Sequence, residues 1–274
     1  FSTWSNRGET HATPDGRTPG TRCADCAEED NRMTVTKKIV VVTGANRGLG
    51  LEISRQLARD HGFHVVLTAR DPAKVEAAAQ TLRDDGLDVA SHAPDITRDD
   101  SAAACAAWIK QTYGAFDVLV NNAGILLERI YGDAENIETD ALDVEIDVVR
   151  QILDTNLLGP LRVAQHLAPL LRPGGRIVNM SSQMGQFGWA DGNMVGYRLS
   201  KTALNGLTAN LAPGLKARGI SVNCCCPGWV RTDMGSKHAM IEVEEGAKTP
   251  VWLAAEADGA LTGKFFNLKA EIPW

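Results

Sequence analysis

The chain has 274 residues, 44% of them hydrophobic, which is enough for one sizeable core in a single domain. Its formal net charge is −6 and no cluster of Lys and Arg is present, which argues against a nucleic-acid partner. No apolar run approaches the roughly 20 residues that span a bilayer, and no charged-then-apolar leader opens the chain, so we expect no membrane partner and a cytoplasmic location.

The six cysteines do not suit a disulfide framework, because three of them are adjacent at Cys224, Cys225 and Cys226. They fit a reducing compartment better. Cys23 and Cys26 have the spacing of half a zinc site, but no second pair of Cys or His at a suitable spacing accompanies them. We therefore expect no metal site, and we interpret Cys23 and Cys26 as two thiols in an N-terminal tail.

The first 32 residues are rich in Thr, Gly, Pro and charged side chains and show neither helical nor strand periodicity. Residues 1–32 are therefore expected to be a disordered N-terminal extension. Met33 stands just before the first periodic segment and suits a natural start, so residues 33–274 are the predicted folded domain.

Short β-branched runs alternate with longer helical patterns from Lys37 onward. The first strand is predicted at Ile39–Val42 and is followed by a helix from about Gly48 to Asp60, which begins a βαβ unit. This alternation predicts a single doubly wound (Rossmann-type) α/β domain, with a largely parallel seven-stranded sheet flanked by helices. The other strands are predicted at His64–Ala69, Asp88–His92, Val118–Asn121, Arg176–Met180, Ile220–Cys225 and Lys264–Asn267.

A glycine-rich turn follows the first strand, at the sheet edge where doubly wound folds bind their ligands. Gly44 permits a tight exit from the strand, Gly48 lets the backbone approach a phosphate, and Gly50 lets the next helix pack closely. The spacing Gly-x-x-x-Gly-x-Gly is a variant of the dinucleotide fingerprint. The strand before it and the helix after it favour a nucleotide site over a structural turn.

The end of the second strand indicates which nicotinamide cofactor binds. An NAD enzyme would place an acid about 20 residues after the last glycine, whereas this chain has Ala69 and then Arg70. Arg47 lies inside the glycine turn, and two guanidinium groups directed at one ribose suit a 2′-phosphate. The sequence therefore predicts NADPH as the preferred cofactor. The alternative is that Arg47 and Arg70 are ordinary surface charges. Asp71 directly follows Arg70 and is placed to neutralise part of its charge.

Two later strands end in polar side chains. Two roles are considered for Asn121: hydrogen bonding that ties neighbouring strand ends together, which is at least as well supported, and contact with the cofactor. Ser182, rather than Ser181, is expected to face the crevice, with a cap or turn serine as the alternative.

Tyr197 and Lys201 lie one turn apart on one face of the next predicted helix. A tyrosine that exchanges a proton near neutrality needs a pKa roughly 2 to 3 units below its ordinary ~10, or about 3 to 4 kcal/mol. A unit charge about 4 Å away supplies only ~1 kcal/mol in water but ~4 kcal/mol at an effective dielectric of ~20, so Lys201 is sufficient only in a partly desolvated crevice. The positive nicotinamide of the oxidised cofactor would add to this effect. Together with Ser182 and the glycine turn, this pair indicates a nicotinamide-dependent oxidoreductase.

These motifs resemble the short-chain dehydrogenase/reductase family, and within it the cytosolic NADPH-dependent carbonyl reductases. The resemblance covers about residues 37–274, and besides the glycine turn and the Tyr-Lys pair it is carried by residues 66–71, 117–125, 225–234 and 244–250.

The resemblance implies a catalytic tetrad of Asn156, Ser182, Tyr197 and Lys201. Tyr197 would protonate the carbonyl oxygen as hydride arrives, and Ser182 would orient and polarise that oxygen. Lys201 would bind the nicotinamide ribose, and Asn156 would hold a water for proton relay. The implied cofactor contacts are Gly44, Asn46, Arg47, Gly48, Leu49, Gly50, Arg70, Asp95, Ile96, Asn122, Ala123, Gly124, Tyr197, Lys201, Pro227, Gly228, Val230 and Thr232, with Asp95 and Ile96 at the adenine and Val230 and Thr232 at the carboxamide.

The chain departs from the animal monomeric carbonyl reductases between Ser182 and Tyr197, where a short loop replaces a long insertion. Without that insertion the helices that carry Asn156 and Tyr197 are free to pair, so a homodimer or homotetramer is expected. Pro213 falls late in the helix that contains Tyr197, and a proline there is expected to kink or end it.

The loop after Ser182 is expected to form the substrate wall, and an apolar, aromatic wall predicts a hydrophobic ketone, aldehyde or quinone. Such residues more often pack a core, which is the alternative. The predicted substrate contacts are Ser182, Gln183, Tyr197 and Trp229, with Met184, Phe187 and Trp189 in the same wall.

The sequence thus predicts NADPH-dependent reduction of a small-molecule carbonyl to an alcohol, by direct hydride transfer without a metal. An NADP-dependent dehydrogenase of a specific secondary alcohol is one alternative, because sequence does not set the direction of the reaction. A non-catalytic NADP(H)-binding sensor is the other. The complete tetrad favours an enzyme, since a sensor has no need for Tyr197 paired with Lys201.

Overall fold

The structure is a computed structural model that describes residues 37–128, 141–236 and 238–274. The predictions for residues 1–32, including Cys23 and Cys26, lie outside these described residues. The strands are β1 (Ile39–Thr43), β2 (His64–Thr68), β3 (Val89–His92), β4 (Phe116–Asn121), β5 (Leu171–Met180), β6 (Ser221–Cys226), β7 (Phe265–Asn267) and β8 (Ala270–Ile272). The α-helices are α1 (Gly48–His61), α2 (Pro72–Asp84), α3 (Asp99–Tyr113), α4 (Ile146–Leu153), α5 (Gly159–Leu167), α6 (Val195–Lys216), α7 (Val243–Gly246) and α8 (Lys248–Ala255), and a π-helical segment, Asp154–Leu158, joins α4 to α5.

The strands form one sheet in the order β3-β2-β1-β4-β5-β6-β7-β8, parallel throughout except for the pairing of β7 with β8. The chain builds outward from β1 to β3, crosses back, and builds outward in the opposite direction from β4. This order confirms the predicted doubly wound α/β fold.

The predicted count of seven strands is wrong by one, because the chain reverses after β7 and adds β8. The two turn residues between them, Leu268 and Lys269, have φ of 48° and 63°. A two-residue hairpin turn with both residues at positive φ is usually built from Asn and Gly. Leu and Lys at these positions gave no turn signal in the sequence.

Strand β5 begins at Leu171, five residues before the predicted start at Arg176. The residues between them include Pro173 and Gly174, which are typical of a turn. The strand accommodates them through a shift in its register with β4, which falls between the pair Phe116–Leu171 and the pair Val118–Arg176. The strand therefore continues through a sequence that ordinarily ends one.

Alternate residues of each buried strand supply two separate cores. Val40 and Val42 of β1 pack with the buried side chains of α1, α2 and α8, whereas Val41 packs with those of α3, α5 and α6. All three valines are at most 1% exposed. Burial of such a side chain stabilises the fold by about 1.5–3 kcal/mol, so both faces of the sheet hold helices firmly. Of the helices in the described residues, none has both the length and the apolar character needed to cross a membrane.

Helix α6 does not end at Pro213 but continues to Lys216. A proline inside a helix loses one hydrogen bond, here to the carbonyl of Ala209. Leu215, which is 6% exposed, packs in the core beyond it, and Ala217 N still donates to Pro213 O at 3.3 Å. Packing of the last turn therefore outweighs the missing bond.

Candidate active site

The first two turns of α6 bring Tyr197 and Lys201 to one face of the helix. Nζ of Lys201 lies 5.5 Å from the centre of the Tyr197 ring and donates to Met180 O, at the end of β5, at 2.8 Å. Tyr197 is also hydrogen-bonded with Ser182, which directly follows β5. The structure therefore brings three of the four predicted catalytic side chains together at the carboxyl edge of the sheet.

Burial dominates the protonation of this pair. It raises the pKa of Tyr197 to about 12, with the neighbouring Cys226 adding to the rise and the hydrogen bond with Ser182 opposing it. Burial likewise lowers the pKa of Lys201 to about 8. In the protein alone, desolvation of the phenol is the largest effect on this pKa. The lowering by Lys201, to which the positive nicotinamide of the oxidised cofactor would add, stays a prediction. A phenol with so high a pKa stays protonated at neutral pH, as a proton donor must.

Ser182 interacts both with the turn that follows it and with Tyr197. Its Oγ accepts a hydrogen bond from Met184 N at 3.1 Å, which caps the 3-10 turn Gln183–Gly185, and the same side chain bonds with Tyr197. Ser181 points away from the site, since it is buried and its Oγ donates to Asn205 Oδ1 at 2.5 Å.

Asn156 joins the site from the π-helical segment and is 1% exposed. Its side chain accepts from Ile125 N at 2.8 Å and donates to Ile125 O at 2.9 Å and to Ser200 Oγ at 3.1 Å. A Cβ built on Gly124 would lie 3.3 Å from Asn156 Oδ1 and 3.8 Å from Lys201 Nζ. Asn156 and Lys201 therefore flank the same point after β4, where Gly124 leaves room.

The glycine turn after β1 has no room for side chains at two positions. A Cβ on Gly50 would lie 2.3 Å from Gly44 O and 2.4 Å from Asn122 Nδ2, and one on Gly44 would lie 2.8 Å from Ala123 Cα. Gly44 and Gly48 also have φ of 65° and 53°, in the left-handed region. Helix α1 begins here, and its N-cap residue makes no side-chain hydrogen bond to the first N–H groups of the helix.

Arg47 spans the mouth of the crevice through an exposed ion pair with Asp233, in the loop after β6. The same loop places Cγ2 of Thr232 3.4 Å from a Cβ built on Gly48, so the loop faces the glycine turn. An exposed ion pair is worth only about 0–1 kcal/mol. A phosphate can therefore replace Asp233 as the partner of the Arg47 guanidinium at a small cost in free energy.

Arg70 faces Asp95 across the ends of β2 and β3. Burial acts to raise the pKa of Asp95, but hydrogen bonds from Thr97 and the positive charges of Arg70 and Arg98 bring it below its usual value. The prediction that Asp71 neutralises Arg70 is not supported: Asp71 caps α2 instead, accepting from the first two free N–H groups of that helix at 3.0 and 3.1 Å.

The two adjacent asparagines at the end of β4 hold strand ends together. Asn121, which is 3% exposed, donates to Asn179 Oδ1 at 2.8 Å, so the structural assignment of this residue is confirmed. Asn122 Nδ2 donates to Thr43 O at 2.9 Å and to Gly44 O at 3.1 Å. Asn122 therefore holds the glycine turn beside β4 and acts on the predicted cofactor site through the backbone.

The remaining predicted cofactor contacts lie on the turns after β1, β3 and β6. Ile96 packs beneath Gly159, where a Cβ would lie 2.8 Å from its Cδ1. Val230 is 6% exposed, and its side chain packs against Gly246 of α7. Asn46 lies in the turn after β1, Leu49 in the first turn of α1, and Pro227 and Gly228 in the turn after β6.

The predicted substrate wall contains aromatic rings that are not core residues. Phe187 is 83% exposed, Trp189 is 56% exposed, and Trp229 is 43% exposed. Gln183 Oε1 lies 4.0 Å from Cys226 Sγ, on the inner side of the same wall. Exposed aromatic side chains of this kind can pack on an apolar ligand.

Sequence reasoning missed two residues that contact this cluster, Glu128 and Ser200. Glu128 is buried and accepts hydrogen bonds from the first turn of α6, and Ser200 Oγ donates to Tyr197 O at 2.7 Å. Ser200 lies three residues after Tyr197 in the predicted helix, so its place was readable from helical spacing. Glu128 follows β4 in a stretch without periodicity, and the sequence carried no signal for it.

The chain is similar to known proteins over most of its length. The family model for short chain dehydrogenases matches residues 38–241. Carbonyl reductase (NADPH) 1 of Bos taurus is 34% identical over 291 residues, which cover 88% of this chain and 100% of that protein. Salutaridine reductase from Papaver somniferum superposes with a TM-score of 0.76 at 27% identity, covering 84% of this chain and 100% of its own. NADPH-bound carbonyl reductase from chicken fatty liver superposes at 0.74, also at 27% identity, covering 87% and 99%. The chain belongs to the short-chain dehydrogenase family.

Proposed function

We propose that this protein reduces a hydrophobic ketone, aldehyde or quinone to an alcohol, with NADPH as the hydride donor and Tyr197 as the proton donor. The observation that carries this proposal is the convergence of Ser182, Tyr197, Lys201 and Asn156 beside Gly124. The carbonyl reductases of Bos taurus and of chicken liver, both named with NADPH, support the cofactor and the substrate class.

The residues at the carboxyl edge fit a dinucleotide. Gly44 and Gly50 allow a close approach of the backbone, the uncapped start of α1 offers N–H donors to a pyrophosphate, and Arg47 and Arg70 flank the position of a ribose phosphate. When bound, the cofactor supplies a hydride to the carbonyl carbon.

The side chains of the site then manage the charge on the carbonyl oxygen. As the carbon gains the hydride, the electron pair of the C=O π bond moves to the oxygen, which takes the proton of the Tyr197 hydroxyl. Ser182 donates a hydrogen bond that stabilises the developing negative charge. Lys201 carries the positive charge nearest to the tyrosinate that remains, and it lies beside Asn156, through which we propose that a water returns the proton.

The first test is the loss of reduced-nicotinamide absorbance when the purified chain meets NADPH with a panel of quinones, aromatic aldehydes and cyclic ketones. Turnover that exceeds a no-substrate control supports the proposal and begins to name the substrate. Tight NADPH binding without turnover on any member of the panel contradicts it, and oxidation of secondary alcohols with NADP becomes the next assay.

Replacement of Arg47 and Arg70 together by Gln is expected to reduce the preference for NADPH over NADH. A hydrogen bond to a charged group contributes about 1.5–3 kcal/mol, so we expect a loss of roughly 10- to 100-fold per arginine in the ratio of the two kcat/KM values. Arg59→Gln is the matched control, because Arg59 pairs with its neighbour Asp60 at the far end of α1. An unchanged ratio in the double variant removes the assignment of a 2′-phosphate site.

We further propose that the chain forms a homodimer or homotetramer through the helices beside the site. Apolar side chains are exposed there: Ile146 of α4 is 62% exposed, Leu199 of α6 is 50% exposed, and Leu158 is 39% exposed. Sedimentation velocity is expected to give a dimer or larger, and Ile146→Asp with Leu199→Asp is expected to give a monomer. Leu268→Asp, on the β7–β8 turn, serves as the control. A monomeric wild-type chain contradicts the proposal.

The cysteines support a reducing location. The four cysteines of the described residues are free thiols, and Cys224, Cys225 and Cys226 are at most 4% exposed. Burial raises the pKa of each of these three thiols, which keeps them protonated and unreactive. We therefore propose the cytosol as the compartment in which this enzyme acts.

A further inference from the structure

The first turn of α6 carries Tyr197 but lacks an ordinary cap. Met194, at the N-cap position, has left-handed backbone angles of φ 51° and ψ 47° and makes no side-chain hydrogen bond to the turn. The first N–H groups of a helix have no acceptor within the helix. Since such a donor is costly when buried and unpaired, an acceptor from elsewhere in the chain is required here.

The carboxylate of Glu128 is that acceptor. Its Oε1 accepts from Gly196 N at 2.6 Å and its Oε2 accepts from Tyr197 N at 2.7 Å. Glu128 is 5% exposed and reaches α6 from the segment after β4, 69 residues earlier in the chain than Tyr197. A Cβ built on Gly196 would lie 3.2 Å from Oε1, so a glycine at this position eases the approach. A negative charge here also lies at the positive end of the helix dipole.

The same segment is fixed at its other end by Asn156, through both backbone groups of Ile125. Asn156 also donates to Ser200 Oγ at 3.1 Å, and Ser200 Oγ donates to Tyr197 O at 2.7 Å. A closed path therefore runs from the amide of Tyr197 through Glu128 and Ile125 to Asn156, and returns to the carbonyl of Tyr197 through Ser200. The backbone on both sides of the tyrosine is held by this path.

We propose that Glu128 is a positioning residue, which sets the place of the Tyr197 hydroxyl relative to Ser182 and Lys201 by holding the first turn of α6 against the segment after β4. This inference rests on the proposed function, because the step that Glu128 would serve is the transfer of hydride and proton to the carbonyl. A misplacement of ~1 Å at a reacting group can cost ~100-fold in rate.

Glu128→Gln is the test, because glutamine keeps the size but presents one acceptor oxygen and one NH₂ group to two N–H donors. We expect kcat to fall roughly 10- to 100-fold, while the Kd for NADPH, measured by fluorescence titration, stays at the wild-type value. The deuterium isotope effect on kcat, with NADPH deuterated at the transferred position, is expected to rise as hydride transfer becomes rate-limiting. Hydrogen exchange at the amides of Gly196 and Tyr197 is expected to be faster than in the wild type.

Asp117→Asn is the matched control for the loss of a partly buried carboxylate. Asp117 also accepts a backbone hydrogen bond, from Ile39 N at 2.7 Å, and pairs with Arg172 at 2.8 Å, but at the amino ends of the strands. This variant is expected to lower Tm and to leave kcat and the isotope effect unchanged. Glu128→Asp keeps the charge with a shorter reach, and is expected to retain more of kcat than Glu128→Gln.

The outcomes separate this inference from the proposed function. A wild-type chain that binds NADPH but reduces no carbonyl contradicts the proposed function, and the amide exchange of Glu128→Gln then decides the capping role alone. An active wild type whose Glu128→Gln variant keeps its kcat, isotope effect or amide exchange overturns the positioning role. A lower kcat with an unchanged isotope effect and a lower Tm, as for a destabilised protein, overturns it as well.

Discussion

Tyr197→Phe is expected to lower kcat for carbonyl reduction by about 10²- to 10⁴-fold, the usual contribution of a positioned proton donor. The substitution removes only the hydroxyl and keeps the ring, over which Lys201 Nζ lies at 5.5 Å. Binding of NADPH is expected to persist, because the glycine turn and the two arginines lie apart from that hydroxyl. Steady-state kinetics with the best substrate of the panel, beside a fluorescence titration with NADPH, measures both quantities.

Tyr113→Phe is the control for this experiment. Its hydroxyl lies 2.9 Å from His64 Nε2, at the end of α3 and the start of β2, on the edge of the sheet opposite the site. Its loss is expected to leave kcat unchanged. Turnover of Tyr197→Phe at the wild-type rate removes Tyr197 as the proton donor and directs attention to Ser182 and Lys201.

Gly50→Ala is expected to abolish tight binding of NADPH. Its Cβ would lie 2.3 Å from Gly44 O, a backbone atom that cannot turn aside, and 2.4 Å from Asn122 Nδ2. Relief of this clash moves the start of α1 away from the turn that faces the pyrophosphate. Overpacking costs about 1–3 kcal/mol, so we expect a 10- to 100-fold rise in Kd and a fall in Tm of several degrees. Fluorescence titration and thermal unfolding measure the two effects.

Gly259→Ala is the matched control, because a Cβ at Gly259 would meet nothing within 4 Å and its φ is not positive. Its Kd and Tm are expected to equal those of the wild type. Wild-type affinity in Gly50→Ala would mean that α1 adjusts freely, and the glycine turn would then no longer be the pyrophosphate site.

Local patterns predicted most of the fold, because a strand buried on both faces is an unbroken apolar run in the sequence. The strand predicted at Ile39–Val42 is an example, and β1 forms there and extends to Thr43. The predictions failed where tertiary contacts overrode local signals. The turn at Leu268 lacks glycine and asparagine, and the strand through Pro173 survives because a partner strand tolerates the irregularity.

In the site, too, local patterns were predictable from the sequence and tertiary contacts were not. Tyr197 and Lys201 were predictable because one helix places them together, whatever the rest of the chain does. Glu128 was not, because its contact with Tyr197 depends on how two distant segments meet in the fold. The raised pKa of Tyr197 could not be predicted from the sequence either, since desolvation by the surrounding side chains is a property of the packed structure.

Because Asn156 lies in a π-helical turn, its position depends on the number of residues in that turn as well as on the type of its side chain. Gly159 N donates to Asp154 O, five residues back, so this turn holds one residue more than an α-helical turn. Deletion of a single residue would restore ordinary α-helical spacing but rotate α4 and α5 by about 100° relative to each other. Either Ile152 or Val163, both buried, would then leave the core. The residue count of this turn therefore fixes which faces of α4 and α5 are buried.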